Sequence, residues 1–263
     1  MIILNILLFL NNYIWLNGYE ETNSINSKVK VPLGFERVVV EKRSFAEWLR
    51  FLPISENKEV LLYNGKKKAY QKGNYAIIDI DVGTKDLQQC ADAVMRLRGE
   101  YLFSKKDYNN IKFNFTSGDT IPFKKWAEGY RVKIEKNKVS WIKSKESDYS
   151  YNNFKKYLEI IFNYAGSYSL NQELKKVKDI NDIQSGDVFI QGGFPGHAII
   201  VLDIAKNKEG KKIFLVAQSY MPAQNIHILK NFNDDDLSPW YSVDFDELIT
   251  PEWTFDKTDL KRF

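Results

Sequence analysis

The sequence predicts one globular α+β domain, and three patterns carry this prediction. Apolar residues recur at three- and four-residue steps from Leu87 to Tyr101, which is typical of a helix that buries one face. The run Tyr75–Val82, which precedes that helix and closes at Gly83, has the composition of a strand. In the C-terminal third, the apolar runs Ala198–Ile204 and Ile213–Ser219 flank a short charged turn, which indicates an antiparallel hairpin.

The composition fits a chain that buries a core and offers no zinc-type metal site. Of its 263 residues, 44% are apolar and 14% aromatic, while 38 basic and 34 acidic residues mix along the chain to a net charge of +4. This charge forms no concentrated phosphate-binding surface, so we do not expect nucleic acid as a partner. A single cysteine excludes an internal disulfide, and with only two histidines no zinc-type spacing exists. We therefore expect no metal site, and the thiol chemistry considered below requires no cofactor.

The N-terminus allows two interpretations. Met1–Leu10 is an apolar run interrupted by Asn5, with the length of the apolar part of a signal peptide and too short to span a bilayer. It lacks a basic start and a small-residue cleavage site. It is either a degenerate export signal or an apolar segment that packs on the fold, and an integral membrane span is not expected. Residues 1–30 are interpreted as this segment plus a polar linker, and residues 31–263 as the domain.

The remaining elements follow from local signals. Phe35–Val40 resembles a strand, and Ser44 with Glu47 forms a capping-box pattern before a short helix that ends ahead of Pro53. Short strands are predicted at Lys112–Thr116, Tyr130–Glu135 and Lys138–Lys143, helices at Asn153–Tyr164 and Ser169–Val177, and a further strand at Gly186–Ile190.

The best candidate for a reactive group is Cys90. Asp86 and Gln89 have capping-box spacing, which places Cys90 in the first turn of the predicted helix. The positive end of a helix dipole favours a thiolate, and a neighbouring imidazolium favours it further. His197 follows a glycine-rich loop at the entrance to an apolar strand, where a general base is held rigidly.

A third residue follows from the hairpin register. Folding the hairpin about Asn207 and Lys208 places Gln218 opposite His197 and on the same face of the sheet. Gln218 is the strongly polar residue of an otherwise apolar strand, and it could orient the imidazole. Ser219 takes this place if the register shifts by one residue.

Each of these residues also has a structural interpretation. A lone cysteine on an apolar stripe is often a small buried hydrophobic residue. His197 and Gln218 could be satisfied polar groups of the core. His227, among apolar neighbours, is interpreted as part of a surface strand. Arg96 and Arg98 could bind an anionic group, but they are interpreted as part of a solvated helix face.

Several long strings resemble a family of bacterial proteins, often exported, that is known only as a domain of unknown function. The resemblance extends from about Val31 to the C-terminus. The strings are Tyr75–Val82, Asp86–Arg98, Phe113–Thr116, Gly186–Gly193 and Ala217–Gln224. The family itself implies no activity.

The order of motifs also resembles the NlpC-type cysteine peptidases and amidases, which are papain-like. That order is a cysteine at a helix start, a Gly-Asp strand, a Gly-His strand and a polar residue on the next strand, matched here by Cys90, Gly186-Asp187, Gly196-His197 and Gln218. The resemblance implies a Cys-bearing helix packed on an antiparallel sheet. Two departures are the Gln89-Cys90-Ala91 context and a separation of 107 residues between cysteine and histidine, about twice that of compact members.

This resemblance makes residues 104–168 an insertion beside the site. Gln88 or Gln89 would supply an oxyanion donor together with the Cys90 amide.

The predicted function is hydrolysis of an amide bond in a peptide or cell-wall-like substrate by Cys90, His197 and Gln218. The protein is expected to be exported or located in the envelope, with a cytoplasmic location left open. The alternative is a non-catalytic module on the same scaffold that binds glycan or peptide, and a third is an envelope structural protein without a pocket. The oligomeric state is left open.

Overall fold

A nine-stranded antiparallel sheet organises the fold. The computed structural model describes residues 22–136 and 138–263, so the apolar run Met1–Leu10 lies outside the described residues. Helices and antiparallel strands are both present, which confirms the α+β class. In the described ranges, no helix has both the length and the apolar character needed to cross a membrane.

Six α-helices are formed within the described ranges, and only two of them exceed ten residues. They are α1 (Ile25–Lys28), α2 (Phe45–Arg50), α3 (Cys90–Ser104), α4 (Phe123–Ala127), α5 (Tyr151–Tyr164) and α6 (Ser167–Glu173).

The strands are mostly short, and the two long ones form the predicted C-terminal hairpin. They are β1 (Glu36–Arg37), β2 (Asn74–Ile77), β3 (Lys112–Asn114), β4 (Thr120–Pro122), β5 (Tyr130–Glu135), β6 (Lys138–Lys143), β7 (Lys175–Lys176), β8 (Val188–Gln191), β9 (His197–Lys206), β10 (Lys212–Gln218), β11 (His227–Leu229), β12 (Tyr241–Ser242), β13 (Glu247–Ile249), β14 (Thr254–Asp256) and β15 (Leu260–Arg262).

The main sheet has the order β2-β11-β10-β9-β8-β15-β7, with β1 beside β9 and β12 beside β10. Strands β3 and β4, β5 and β6, and β13 and β14 form separate hairpins. The central strands β9 and β10 are buried on both faces, which explains why their sequences are almost continuously apolar.

The two faces of the sheet carry different clusters. Alternate residues of β9, including Ala198 and Ile200, belong to the larger cluster, which contains α3. The intervening residues, including Ile199 and Val201, belong to a smaller cluster with Phe255 of β14. Because side chains alternate along a strand, the sequence position decides which face each residue joins.

The segment before Val31 is not entirely a linker. Ile25 and Val29 are buried in the larger cluster. The indole nitrogen of Trp240 also donates a hydrogen bond to the carbonyl oxygen of Lys30, at 2.9 Å. Two apolar residues in a polar stretch are a weak sequence signal, and only their burial in the folded protein reveals their role.

The region 104–168 contains β3–β6, α4 and α5. The sequence patterns predict β3, β5, β6 and α5, whereas β4 and α4 are found only in the structure. The apolar side of helix α5 packs on α3, and the ring centroids of Phe154 and Phe103 lie 4.6 Å apart. Gly99 permits this approach, because a Cβ atom there would lie 3.2 Å from the Phe154 ring. The region therefore extends the core instead of forming a separate body.

Helix α3 begins later than the capping-box pattern predicts. Its N-cap is Gln89 and its first residue is Cys90. Asp92 Oδ2 accepts a hydrogen bond from the Gln89 backbone at 3.0 Å. Asp86 instead accepts from the backbone amide of Ala223 at 2.7 Å, so it connects the approach to the helix with a distant loop.

Candidate functional site

Cys90 stands at the N-terminus of α3 and points at the start of β9. Its Sγ atom lies 4.0 Å from the carbonyl oxygen of Gly196, the residue directly before His197. The backbone amide of Ala198 also points at this sulfur. The fold therefore brings the cysteine beside the backbone on either side of His197, across 107 residues of sequence.

The thiol is held in its neutral form. Burial, with a smaller effect of the nearby Asp92 carboxyl, raises the pKa of the Cys90 thiol to about 11, although backbone amides lower it. Burial also raises the pKa of Asp92 well above its usual value. The helix start thus lowers the pKa by less than desolvation raises it, and Cys90 is a thiol at neutral pH.

His197 and Gln218 are hydrogen-bonded. His197 Nε2 and Gln218 Oε1 lie 2.8 Å apart, and both side chains are buried. The register that connects them differs from the expected one by two residues, since Ala217 pairs with Ile200. The hairpin loop spans residues 207–211, which shifts the register by three residues at the turn, and a bulge between Leu215 and Val216 reduces this shift to two. A shift of two residues keeps both side chains on one face, and the long glutamine reaches its diagonal neighbour.

The His197 ring packs among aromatic side chains on the face of the sheet opposite α3. Its centroid is 4.9 Å from that of Tyr220, 5.3 Å from Trp253 and 5.9 Å from Phe255. Burial, together with the positive charge of Lys68, lowers the pKa of His197 to about 4, although the hydrogen bond to Gln218 raises it. The imidazole is therefore neutral at pH 7. Within the described ranges, no hydrogen bond joins this ring to the Cys90 sulfur.

A cleft of about 220 Å³ opens at Cys90. Its walls come from the start of α3, the end of α5 and the loop before β9, and Phe194 and Met221 at its mouth are exposed. Asp92 also lines the cleft, and its Oδ1 atom is buried without a hydrogen-bond partner among the described residues. The cleft thus offers an apolar mouth and one buried carboxyl beside the sulfur.

The three weaker site candidates, Gln88, Gln89 and Ser219, lie in different surroundings. Gln89 lines the cleft, and its amide nitrogen donates to Asp86 at 3.1 Å. Gln88 is buried away from the cleft, where its Oε1 accepts a hydrogen bond from Arg96 at 2.8 Å. Ser219 is also buried, with Oγ 2.9 Å from the carbonyl oxygen of Gln88 and 2.9 Å from that of Gln224. Of the three, Gln89 alone has access to a group bound at Cys90.

Two interpretations based on exposure are wrong. His227 is buried and pairs with Gln218 across strands β10 and β11. Arg96 is also buried, with Nε 2.6 Å from Glu100 Oε1 and Nη2 3.0 Å from Asp81 Oδ1. Both side chains have hydrogen-bond partners, which makes their burial possible: the carbonyl oxygen of Asn225 for His227, and the Glu100 and Asp81 carboxylates for Arg96.

Lys68 and Glu252 are site residues that the sequence does not indicate. Glu252 Oε2 accepts a hydrogen bond from Gln218 Nε2 at 2.7 Å and forms an ion pair with Lys68 Nζ. Isolated lysines and glutamates resemble ordinary surface residues in a sequence. The signal is their burial against a polar strand residue, which requires the fold.

The fold and the site define an α+β protein with a helix-start cysteine and a strand-start histidine at one end of an antiparallel sheet. The chain belongs to the family described as domain of unknown function (4846), whose model matches residues 25–262. Comparison with curated proteins and with solved structures gave no match.

Proposed function

We propose that the protein is a cysteine hydrolase that cleaves an amide bond in a peptide, with a papain-like arrangement of its site. Cys90 Sγ attacks the carbonyl carbon, and its proton passes to His197. His197 then returns the proton to the leaving amine as the C–N bond breaks, and water hydrolyses the thioester that remains. Gln218 holds the imidazole in place.

The observation that carries this proposal is the pairing of His197 Nε2 with Gln218 beside the residue that Cys90 contacts. The hydrogen bond occupies one ring nitrogen and leaves Nδ1 available as the base. Within the described part of the chain, Nδ1 forms no hydrogen bond. In resting enzymes the bond between nucleophile and base is often long and shortens when substrate binds.

The neutral state of both groups decides the form of the mechanism. A thiol with a pKa of about 11 and an imidazole with a pKa of about 4 do not form a resting thiolate–imidazolium pair. Proton transfer to His197 therefore accompanies the attack on the carbonyl, as in hydroxyl-based hydrolases. Substrate binding is needed to bring the two groups into this exchange.

The cleft favours a peptide with small or apolar side chains. Its volume of about 220 Å³ is small, and its exposed rim residues Phe194 and Met221 offer apolar contacts. A cell-wall-like peptide is the substrate that this proposal includes. An exported or envelope location is part of this proposal; it depends on Met1–Leu10, outside the described residues, and cell fractionation tests it.

A binding module without chemistry is the second candidate. It is favoured by the raised pKa of Cys90 and by the position of the His197 ring on the face away from α3. In that case the cleft binds peptide, and Cys90 packs beside the loop before β9 as a small apolar residue.

Covalent labelling distinguishes the two candidates, because Cys90 is the only cysteine in the sequence. The protein is treated with peptidyl vinyl sulfones carrying small or apolar side chains, and separately with iodoacetamide, and the adducts are measured by mass spectrometry. A hydrolase reacts faster with at least one peptidyl probe, and His197→Ala lowers that rate at least about tenfold while leaving the iodoacetamide rate unchanged. Equal rates in both variants with every probe identify the binding module.

A further inference from the structure

Behind Gln218 lies a buried ion pair that comes from two other parts of the chain. Lys68 follows a turn near β2, and Glu252 lies between β13 and β14. Their side chains are 9% and 14% exposed. The carboxylate of Glu252 uses Oε2 both for the ion pair and for the hydrogen bond from Gln218 Nε2.

This arrangement fixes the orientation of the Gln218 amide. A carboxylate has no proton to donate, so the side of the amide that faces Glu252 is the NH2 group. The amide oxygen is then directed at His197, at 2.8 Å from Nε2. Because an amide oxygen only accepts, Nε2 of His197 carries the proton.

The second histidine has the opposite tautomer. Its Nδ1 atom lies 3.0 Å from the carbonyl oxygen of Asn225, which accepts and does not donate, so the proton of His227 is on Nδ1. Burial lowers the pKa of His227 to about 3 and that of His197 to about 4. Both rings are therefore neutral near pH 7, and each carries one proton at a nitrogen that its neighbour determines.

We infer that Lys68 and Glu252 are positioning residues for the candidate site. They hold the Gln218 amide in one orientation, which keeps the proton of His197 on Nε2 and leaves Nδ1 as the basic atom. Lys68 supplies the charge opposite Glu252 and thereby holds the carboxylate at Gln218. The tautomer follows from these contacts alone, whereas its role in catalysis depends on the proposed function.

The test is the tautomer of each histidine, measured by long-range 1H–15N NMR correlation at pH 7. Only two histidines occur in the chain, so the spectra contain two rings. In the wild-type protein we expect the proton on Nε2 for His197 and on Nδ1 for His227. A wild-type His197 with its proton on Nδ1 would overturn the inference without any variant.

The variants test the role of Glu252. In Glu252→Met the Gln218 amide loses its acceptor, and we expect His197 to become a mixture of tautomers with at least about one third on Nδ1. Glu252→Gln can still accept from Lys68 and Gln218, so it should restore the wild-type tautomer. Glu59→Met is the matched control, since Glu59 pairs with the adjacent Lys67 at the surface. An unchanged His227 signal shows that each variant is folded, and a wild-type His197 tautomer in Glu252→Met would contradict the inference.

Labelling by the peptidyl probe separates this inference from the proposed function. If both hold, Glu252→Met lowers the probe rate about tenfold or less, Glu252→Gln restores it, and the iodoacetamide rate is the same in all variants. If the tautomer changes as expected but the wild-type protein shows no preference for a peptidyl probe, the positioning role stands and the hydrolase proposal fails.

Discussion

The sulfur of Cys90 lies 4.0 Å from the carbonyl oxygen of Gly196, directly before the histidine that the sequence separates from it by 107 residues. This approach requires a chain path with no side chain at position 196. The loop before β9 is therefore as much a part of the site as the helix that carries the cysteine.

Gly196→Ala should damage this loop. A Cβ atom at Gly196 would lie 2.4 Å from Ser167 Oγ and 2.7 Å from the carbonyl oxygen of Gln191. We expect a loss of about 1–3 kcal/mol in the free energy of unfolding, measured by urea denaturation, with a changed alkylation rate at Cys90. Gly166→Ala is the control, because Gly166 lines the same cleft but has open space around its Cβ position. A full-size effect in the control would show that the close approach is not the cause.

The pKa of Cys90 predicts how its alkylation depends on pH. With a pKa of about 11, the thiolate fraction rises about tenfold per pH unit between pH 6 and pH 10. The rate of reaction with iodoacetamide should therefore rise along the same slope and remain below that of free cysteine at pH 7. A plateau between pH 5 and pH 8 would instead reveal a thiolate paired with an imidazolium.

The two histidines should stay neutral in mildly acidic solution. Burial is the main cause that lowers their pKa values, to about 4 for His197 and about 3 for His227. Their Hε1 signals should be constant from pH 8 to pH 5, whereas an exposed histidine changes near pH 6.5. The unfolded chain binds protons more readily than these buried rings, so their contribution to stability is complete above pH 6.5 and is lost as pH falls towards 4. Titration of either ring near pH 6.5 would contradict the burial effect.

Glu173 should have the opposite effect on stability. Burial raises its pKa to about 7 from an ordinary value of 4.5, although the backbone amide of Asn114 donates to it. The folded state therefore binds the proton more tightly than the unfolded chain, and stability is lost as pH rises from 4.5 to 7. Glu173→Gln keeps the acceptor and removes the charge, so it should be more stable than the wild type by about 1–3 kcal/mol above pH 7. If the difference in unfolding free energy between Glu173→Gln and the wild type were the same at pH 4 and at pH 8, this expectation would be wrong.

Arg96 should matter to stability far more than Arg98 on the same helix. Arg96 is buried, with hydrogen bonds to Glu100 and Gln88, whereas the guanidinium of Arg98 lies over the rings of Phe45 and Tyr101. Arg96→Met should cost about 3–5 kcal/mol, because it leaves a buried carboxylate without its main counter-charge. Arg98→Met is the control and should cost less than about 1.5 kcal/mol. The double variant Arg96→Met with Glu100→Gln should recover part of the loss, and an unchanged loss would show that charge burial is not the reason.

Much of the fold follows from local signals in the sequence. The apolar stripe from Leu87 to Tyr101 predicts the long helix, and the charged turn between two apolar runs predicts the hairpin of β9 and β10, because both patterns depend on neighbours within one element. The same signals place Cys90 at a helix start, and they place His197 and Gln218 on one face of the sheet even with a register error of two residues. Side-chain alternation has a period of two, so that error leaves the face unchanged.

Tertiary structure decides the features that depend on distant neighbours. It buries Lys68 and Glu252 behind Gln218, raises the pKa of the Cys90 thiol, and sets the His197 ring against Trp253. Desolvation depends on every element that surrounds a group, and an ion pair depends on where two remote segments meet. The sequence alone therefore determined which residues are candidates for the site, and the packing of remote segments decided their protonation and orientation.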